Sequence, residues 1–185
     1  GEVLRDGRTS AQGEAITGND DNGPDFDLGC YMVVNKDGTL TNYGSPLYFD
    51  ESPNAYEIPD IPVGAMDFWG IYLHEVLHGL GIWSTAQHGS EFIPTVYDKL
   101  MVQTDGQFFF QGSAVQDLLG EGLPMSSRTP SRDHYGLNKS GNSLIDRGIM
   151  FEYGNYEQNR FHLGKIDLAI LSDLGYTVAN SETLS

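Results

Sequence analysis

The segment His74-Glu75-Val76-Leu77-His78 puts two imidazoles and a carboxylate into five residues. On a helix, side chains four positions apart share a face and stand one turn above another. Both rings can then reach one metal ion, and the glutamate beside the first can take a proton from a water held there. Zinc suits that arrangement, because it polarises a carbonyl and acidifies water without redox chemistry. These are the parts of a zinc peptidase, although so short a motif also arises by chance.

The surroundings strengthen the reading. The run from Ala65 to Leu73 carries Phe68, Trp69, Ile71 and Tyr72, and Val76, Leu77 and Leu80 continue it. Such a pattern predicts a helix buried on most sides, where two histidines and a glutamate need polar partners. A metal would partner the histidines. Gly81 marks the end of the helix, since glycine accepts the left-handed conformation that turns the chain away.

His-Glu-x-x-His-x-x-Gly, here His74 to Gly81, resembles the zinc helix of the metzincin metallopeptidases. Most metzincins place a third histidine three residues after that glycine, where this chain has Ser84, a poor zinc ligand. Three other histidines exist: His88, which reads as an exposed loop residue, His162, which reads as structural, and His134. A histidine followed by an Ile-Met turn is the metzincin order, and His134 precedes Ile149-Met150. Leishmanolysin-like members delay that histidine by a long insertion, which residues 82–133 would supply. Lys165 to Tyr176, ending in Leu-Gly-Tyr, looks like the C-terminal helix of serralysin- and matrixin-type domains.

The resemblance implies an α+β, metzincin-like zincin fold in one catalytic domain. Its parts would be a twisted mixed sheet, the active-site helix, the inserted subdomain and a C-terminal helix. It implies zinc held by His74, His78 and His134, with Glu75 as general base for peptide-bond hydrolysis and Met150 as an apolar floor under the rings. Some metzincins add a tyrosine after the Met-turn that binds the oxyanion or the metal. Tyr153 is the nearest match, one residue further from Met150 than in Met-x-Tyr. The chain departs from leishmanolysins proper in having one cysteine, Cys30. Three other readings stay open, one of them a structural domain in which the motif is fortuitous. A gluzincin-like peptidase would take a third ligand from Glu91 or Glu121 and leave the Ile-Met turn unexplained. A non-catalytic zinc-binding adhesion or surface module would have no need of Glu75.

The remaining elements must position these groups. Tyr31–Asn35 and Thr39–Tyr43 flank Lys36-Asp37-Gly38 as a hairpin. Pro46–Asp50 reads as an edge strand, which metzincins offer to extended substrate, and Glu51–Gly64 as a loop leading to the helix. Lys99–Gln103 and Gln107–Gln111 form a second hairpin candidate around Thr104-Asp105-Gly106, and Gly112–Leu119 a short helix. Pro124–Pro130 reads as irregular. The insertion either flanks the cleft or covers the core. Gly18 to Asp27 is rich in oxygen ligands and turn formers; it is either a calcium loop without EF-hand spacing or a solvated acidic turn.

Composition narrows the partners. With 185 residues, the chain is long enough to bury a real core. Its 10 basic against 26 acidic residues argue against nucleic acid and anionic membrane surfaces; the resemblance implies a protein or peptide substrate, acted on by a monomer. One cysteine cannot form an internal disulfide, so packing and metals must stabilise the fold. An acidic, glycine-rich metzincin of this kind resembles a secreted bacterial protease domain.

Overall fold

The computed structural model of the protein describes residues 7–20, 23, 28–30, 35–36, 44–51, 59–85, 93–126, 132–136, 145, 148–151 and 159–179. Over these residues it mixes helices with two small sheets. All but residues 35–36 of the hairpin expected over residues 31–43 lies outside the described residues, as does most of the acidic stretch at 18–27.

Helix α1, Ser10–Thr17, starts at Thr9, whose hydroxyl accepts from the Gln12 amide, and stops at left-handed Gly18. Thr9 also donates to the Gly79 carbonyl at 2.8 Å, and Gln12 Nε2 donates to the Leu174 carbonyl at 3.0 Å. The first helix therefore ties the end of the histidine helix to the C-terminal one.

Strand β1, Leu47–Tyr48, lies inside the expected Pro46–Asp50 segment and pairs in parallel with β2, Met66–Asp67. The chain enters helix α2, Phe68–Gly79, directly from β2. Asp67 caps it by accepting from the Gly70 amide at 2.7 Å. Arg160 grips the same carboxylate through Nη2 at 2.8 Å and reaches Asp50 through Nη1 at 2.8 Å. Their hydrogen bonds hold the guanidinium above its ordinary pKa despite burial. A buried charge is tolerable only with such partners, and this one fixes where the helix begins relative to β1.

The expectation of a helix buried on most sides is corrected. Trp69 is 37% and Tyr72 39% exposed, and Glu75 faces solvent. The aromatic residues pack on one another instead: the Phe68 ring lies 4.4 Å from Phe49, 5.3 Å from Trp69 and 5.9 Å from Tyr72. Leu77 carries the inner face. Gly81, at φ 106°, closes the helix: its amide donates to the His78 carbonyl and that of Ile82 to the Leu77 carbonyl. Those paired bonds satisfy the last carbonyls.

Of the insertion's two expected roles, the structure displays the core-forming one. Helix α3, Val96–Lys99, takes Lys99 from the predicted strand, so the hairpin is Met101–Thr104 (β3) with Gln107–Phe110 (β4). Its turn residues Asp105 and Gly106 both have positive φ, as a two-residue turn between twisted strands requires. Strand β5, Leu123–Pro124, extends this antiparallel sheet on the β4 side, so Pro124 is not irregular. Helix α4, Ser113–Leu119, packs on α5, Lys165–Asp173, where Asp173 accepts from the Ala114 and Val115 amides at 2.7 and 3.0 Å. Tyr97, Phe110, Val115, Leu123 and Met125 of the insertion join Leu77, Ile149, Met150, Ile166 and Ile170 in one buried cluster. No described helix is long and apolar enough to cross a membrane.

Candidate metal centre

Three imidazoles meet where α2, the Ile149-Met150 turn and the segment around His134 come together. Ring centroids are 4.8 Å apart for His74 and His78, 4.9 Å for His74 and His134, and 5.1 Å for His78 and His134. One ligand atom from each ring lies within 4.8 Å of the other two, so the group could hold a single metal ion.

Each ring is oriented by its other nitrogen. His74 Nδ1 faces the Ile149 carbonyl at 3.0 Å, His78 Nδ1 the Ile82 carbonyl at 2.8 Å, and His134 Nδ1 the Asp133 carboxylate at 2.9 Å. A carbonyl or carboxylate oxygen can only accept, so the Nδ1 atoms carry the protons and the Nε2 atoms the lone pairs. His74 Nε2 and His134 Nε2 then face each other at 3.0 Å. At that distance the two nitrogens share a cation between them, either a proton in a hydrogen bond or a metal ion. Burial, followed by the neighbouring His78, lowers the His74 pKa to about 3, and burial also lowers that of His78. Both rings are therefore neutral near pH 7, as ligation demands.

The local chain explains why these rings arrive together. His74 and His78 are one turn apart on α2. The Ile82 carbonyl that orients His78 belongs to the tight closure at Gly81. His134 rides on a short extended segment held from both sides. Its carbonyl accepts from the Ser126 amide, while the Tyr135 amide donates to the Met150 carbonyl and that of Gly136 to the Pro124 carbonyl. The end of the insertion and the turn at Met150 thus hold the His134 segment as strands of a sheet would.

Ser84 is fully buried, and its hydroxyl donates to Asp98 at 2.6 Å. Asp98 also accepts from the amides and hydroxyls of Thr85 and Thr95. Burial pushes its carboxyl up, but these hydrogen bonds outweigh it and hold the pKa below the usual range. Met150 is fully buried in the core beside this junction. Glu75 is exposed and lines a cleft of about 170 Å³ with Thr9, Leu28, Cys30, His78 and Trp83.

Other expected groups fall elsewhere. Tyr153, His88 and Glu91 lie outside the described residues, and Glu121 is exposed in the insertion, apart from the histidine group. His162 is half-buried before α5, with no hydrogen-bond partner for Nε2 among the described residues. The residues that sequence reasoning missed are the ring partners: Asp133 and the carbonyls of Ile82 and Ile149. Asp133 was visible as the immediate neighbour of His134, whereas carbonyl partners leave no trace in side-chain identity. No family model, curated protein or solved structure matches the chain.

Proposed function

We propose that the chain is a zinc-dependent endopeptidase of the metzincin kind, cutting protein or peptide substrates. The observation that carries this reading is the convergence of three imidazoles, each with its opposite nitrogen tied to an oxygen. The donor set fits zinc. Its three imidazole nitrogens, with ligand atoms within 4.8 Å of one another, are of the kind that zinc takes. Histidines bound to zinc characteristically donate their second N–H to a carboxylate or carbonyl.

Zinc bound there would supply a Lewis acid that polarises the scissile carbonyl and acidifies water. His74, His78 and His134 would hold it. Glu75, beside His74 and open to solvent, accepts a proton from the attacking water and returns it to the departing amine. The Ile149, Ile82 and Asp133 oxygens keep the three rings in register, so little reorganisation is needed when substrate arrives.

Glu75→Gln tests the reading. Because the side chain is exposed, the variant is expected to fold and bind one zinc per chain. Its kcat is expected to fall by about 10²–10⁴-fold, the usual worth of a general base. Peptide hydrolysis at the parent rate, or a parent chain that takes up no zinc after reconstitution, would overturn the proposal.

A further inference from the structure

Asp167 lies far from Glu75 in sequence and is fully buried in the first turn of α5. One oxygen accepts from the Tyr135 hydroxyl at 2.7 Å; the other accepts from the Ile149 amide at 3.0 Å and the Gly164 amide at 2.8 Å. Two of those donors lead directly to histidines. Ile149 gives its N–H to Asp167 and takes the His74 Nδ1 proton on its carbonyl. Tyr135 follows His134 in the chain and is held a second time by its amide bond to Met150. His78 has a different anchor, the Ile82 carbonyl.

The junction has no slack. A Cβ built on Gly148 would stand 1.5 Å from the Tyr135 hydroxyl and 2.8 Å from Ile166. The turn is thus pressed against the tyrosine that reaches Asp167. Tyr135 is itself fully buried, so its ring has a single place to be.

We propose that Asp167 is a positioning residue: it sets the His74 ring through Ile149 and the His134 segment through Tyr135, so that α5 fixes two of the three imidazoles. The inference rests on the metal-centre reading above. An asparagine at 167 keeps the shape but replaces one accepting oxygen by a donor. Turned one way, its amide opposes the Ile149 and Gly164 amides donor to donor; turned the other, it can only donate to the Tyr135 hydroxyl, whose own proton then loses its buried acceptor. The rings should shift without the fold being lost.

The test is binding of Co²⁺ alone to the full chain, followed by visible absorption, with zinc affinity measured by competition. Asp167→Asn should lower metal affinity by about 10–100-fold, the usual effect of losing an orienting partner, and should change the Co²⁺ absorption spectrum. Asp173→Asn, on the same helix but bonded to α4, should lower thermal stability while leaving affinity and spectrum unchanged. Should Asp167→Asn fail to fold, Tyr135→Phe decides, since it deletes only the hydroxyl: weaker binding with an altered spectrum is expected. A folded Asp167→Asn, or in its place Tyr135→Phe, with parental affinity and spectrum would overturn this inference alone. A parent chain that binds neither Co²⁺ nor zinc would overturn the metal-centre reading and this inference with it.

Discussion

Two segments could have completed the histidine pair, and each is secured by a buried or half-buried aspartate. In the loop after Gly81, Asp98 gathers Ser84, Thr85 and Thr95 into a polar knot with no imidazole among its described residues. At the other, Asp167 gathers Tyr135 and Ile149 and leaves His134 facing His74. The difference teaches that proximity in sequence does not deliver a ligand. A short loop must first satisfy its own buried donors, and in this chain doing so commits Ser84 to Asp98. The segment around His134 has its backbone bonds met by Ser126, Pro124 and Met150, so its side chain is left for the centre.

The sharpest way to break this comparison is to remove the arriving ligand and offer one at the near position. His134→Ala should weaken zinc binding by more than about 100-fold, beyond the range typical of losing a mere orienting partner. Adding Ser84→His should not restore it, because the Asp98 knot holds that loop. His88→Ala should bind as the parent does. Equilibrium competition for zinc reads all three. Rescue by Ser84→His, or loss with His88→Ala, would show that the site closes through the loop after Gly81.

What could be read from the sequence was local. The His74 and His78 pair, the closure at Gly81, the Asp105-Gly106 turn and the helix over Ser113–Leu119 each depend on near neighbours, and the structure has them. His134 was reached only through a resemblance in motif order. The Asp98 and Asp167 knots were not anticipated, because their partners are scattered: Asp167 draws on residues 135, 149 and 164. Burial of α2 was overstated for a related reason. Phe68, Trp69 and Tyr72 look like core by composition, yet with Phe49 they stack into a surface cluster that keeps two of them well exposed.

Asp98→Ala probes the knot that carries no ligand. The Thr85 and Thr95 amides would lose an acceptor and α3 its capping box. A cost of about 2–3 kcal/mol is expected, that of leaving buried donors unmet, read by urea denaturation. Metal affinity of the folded variant should match the parent. A folded variant unable to bind metal would mean that both knots serve the centre.

Acid separates the centre from its supports in the metal-free chain. His74 has an ordinary pKa of 6.5 that folding lowers to about 3, mainly through burial. Between those values the unfolded chain binds more protons than the folded one, so stability is full above about pH 6.5 and declines as pH falls toward 3. His78 shifts in the same direction. With chelator present, the urea midpoint should fall between pH 7 and pH 5, and His74→Gln should flatten that fall. An equal pH dependence in both would place the sensitivity outside the centre.

The smallest expected effect belongs to Ser84→Ala. The substitution deletes one buried hydroxyl that donates to Asp98 at 2.6 Å, while Thr85 and Thr95 continue to supply that carboxylate. Removing a hydrogen bond whose acceptor keeps other donors costs about 0.5–1.5 kcal/mol, so a modest drop in the urea midpoint is expected with no change in zinc affinity. The position matters because most metzincins carry their third ligand there. If Ser84 acts only through Asp98, its loss should be no larger than that of one neutral donor and should vanish in an Asp98→Ala background. Additive losses in the double variant, or a fall in zinc affinity from Ser84→Ala alone, would show that the serine reaches something besides the knot. The separation between the two loops would then have to be redrawn.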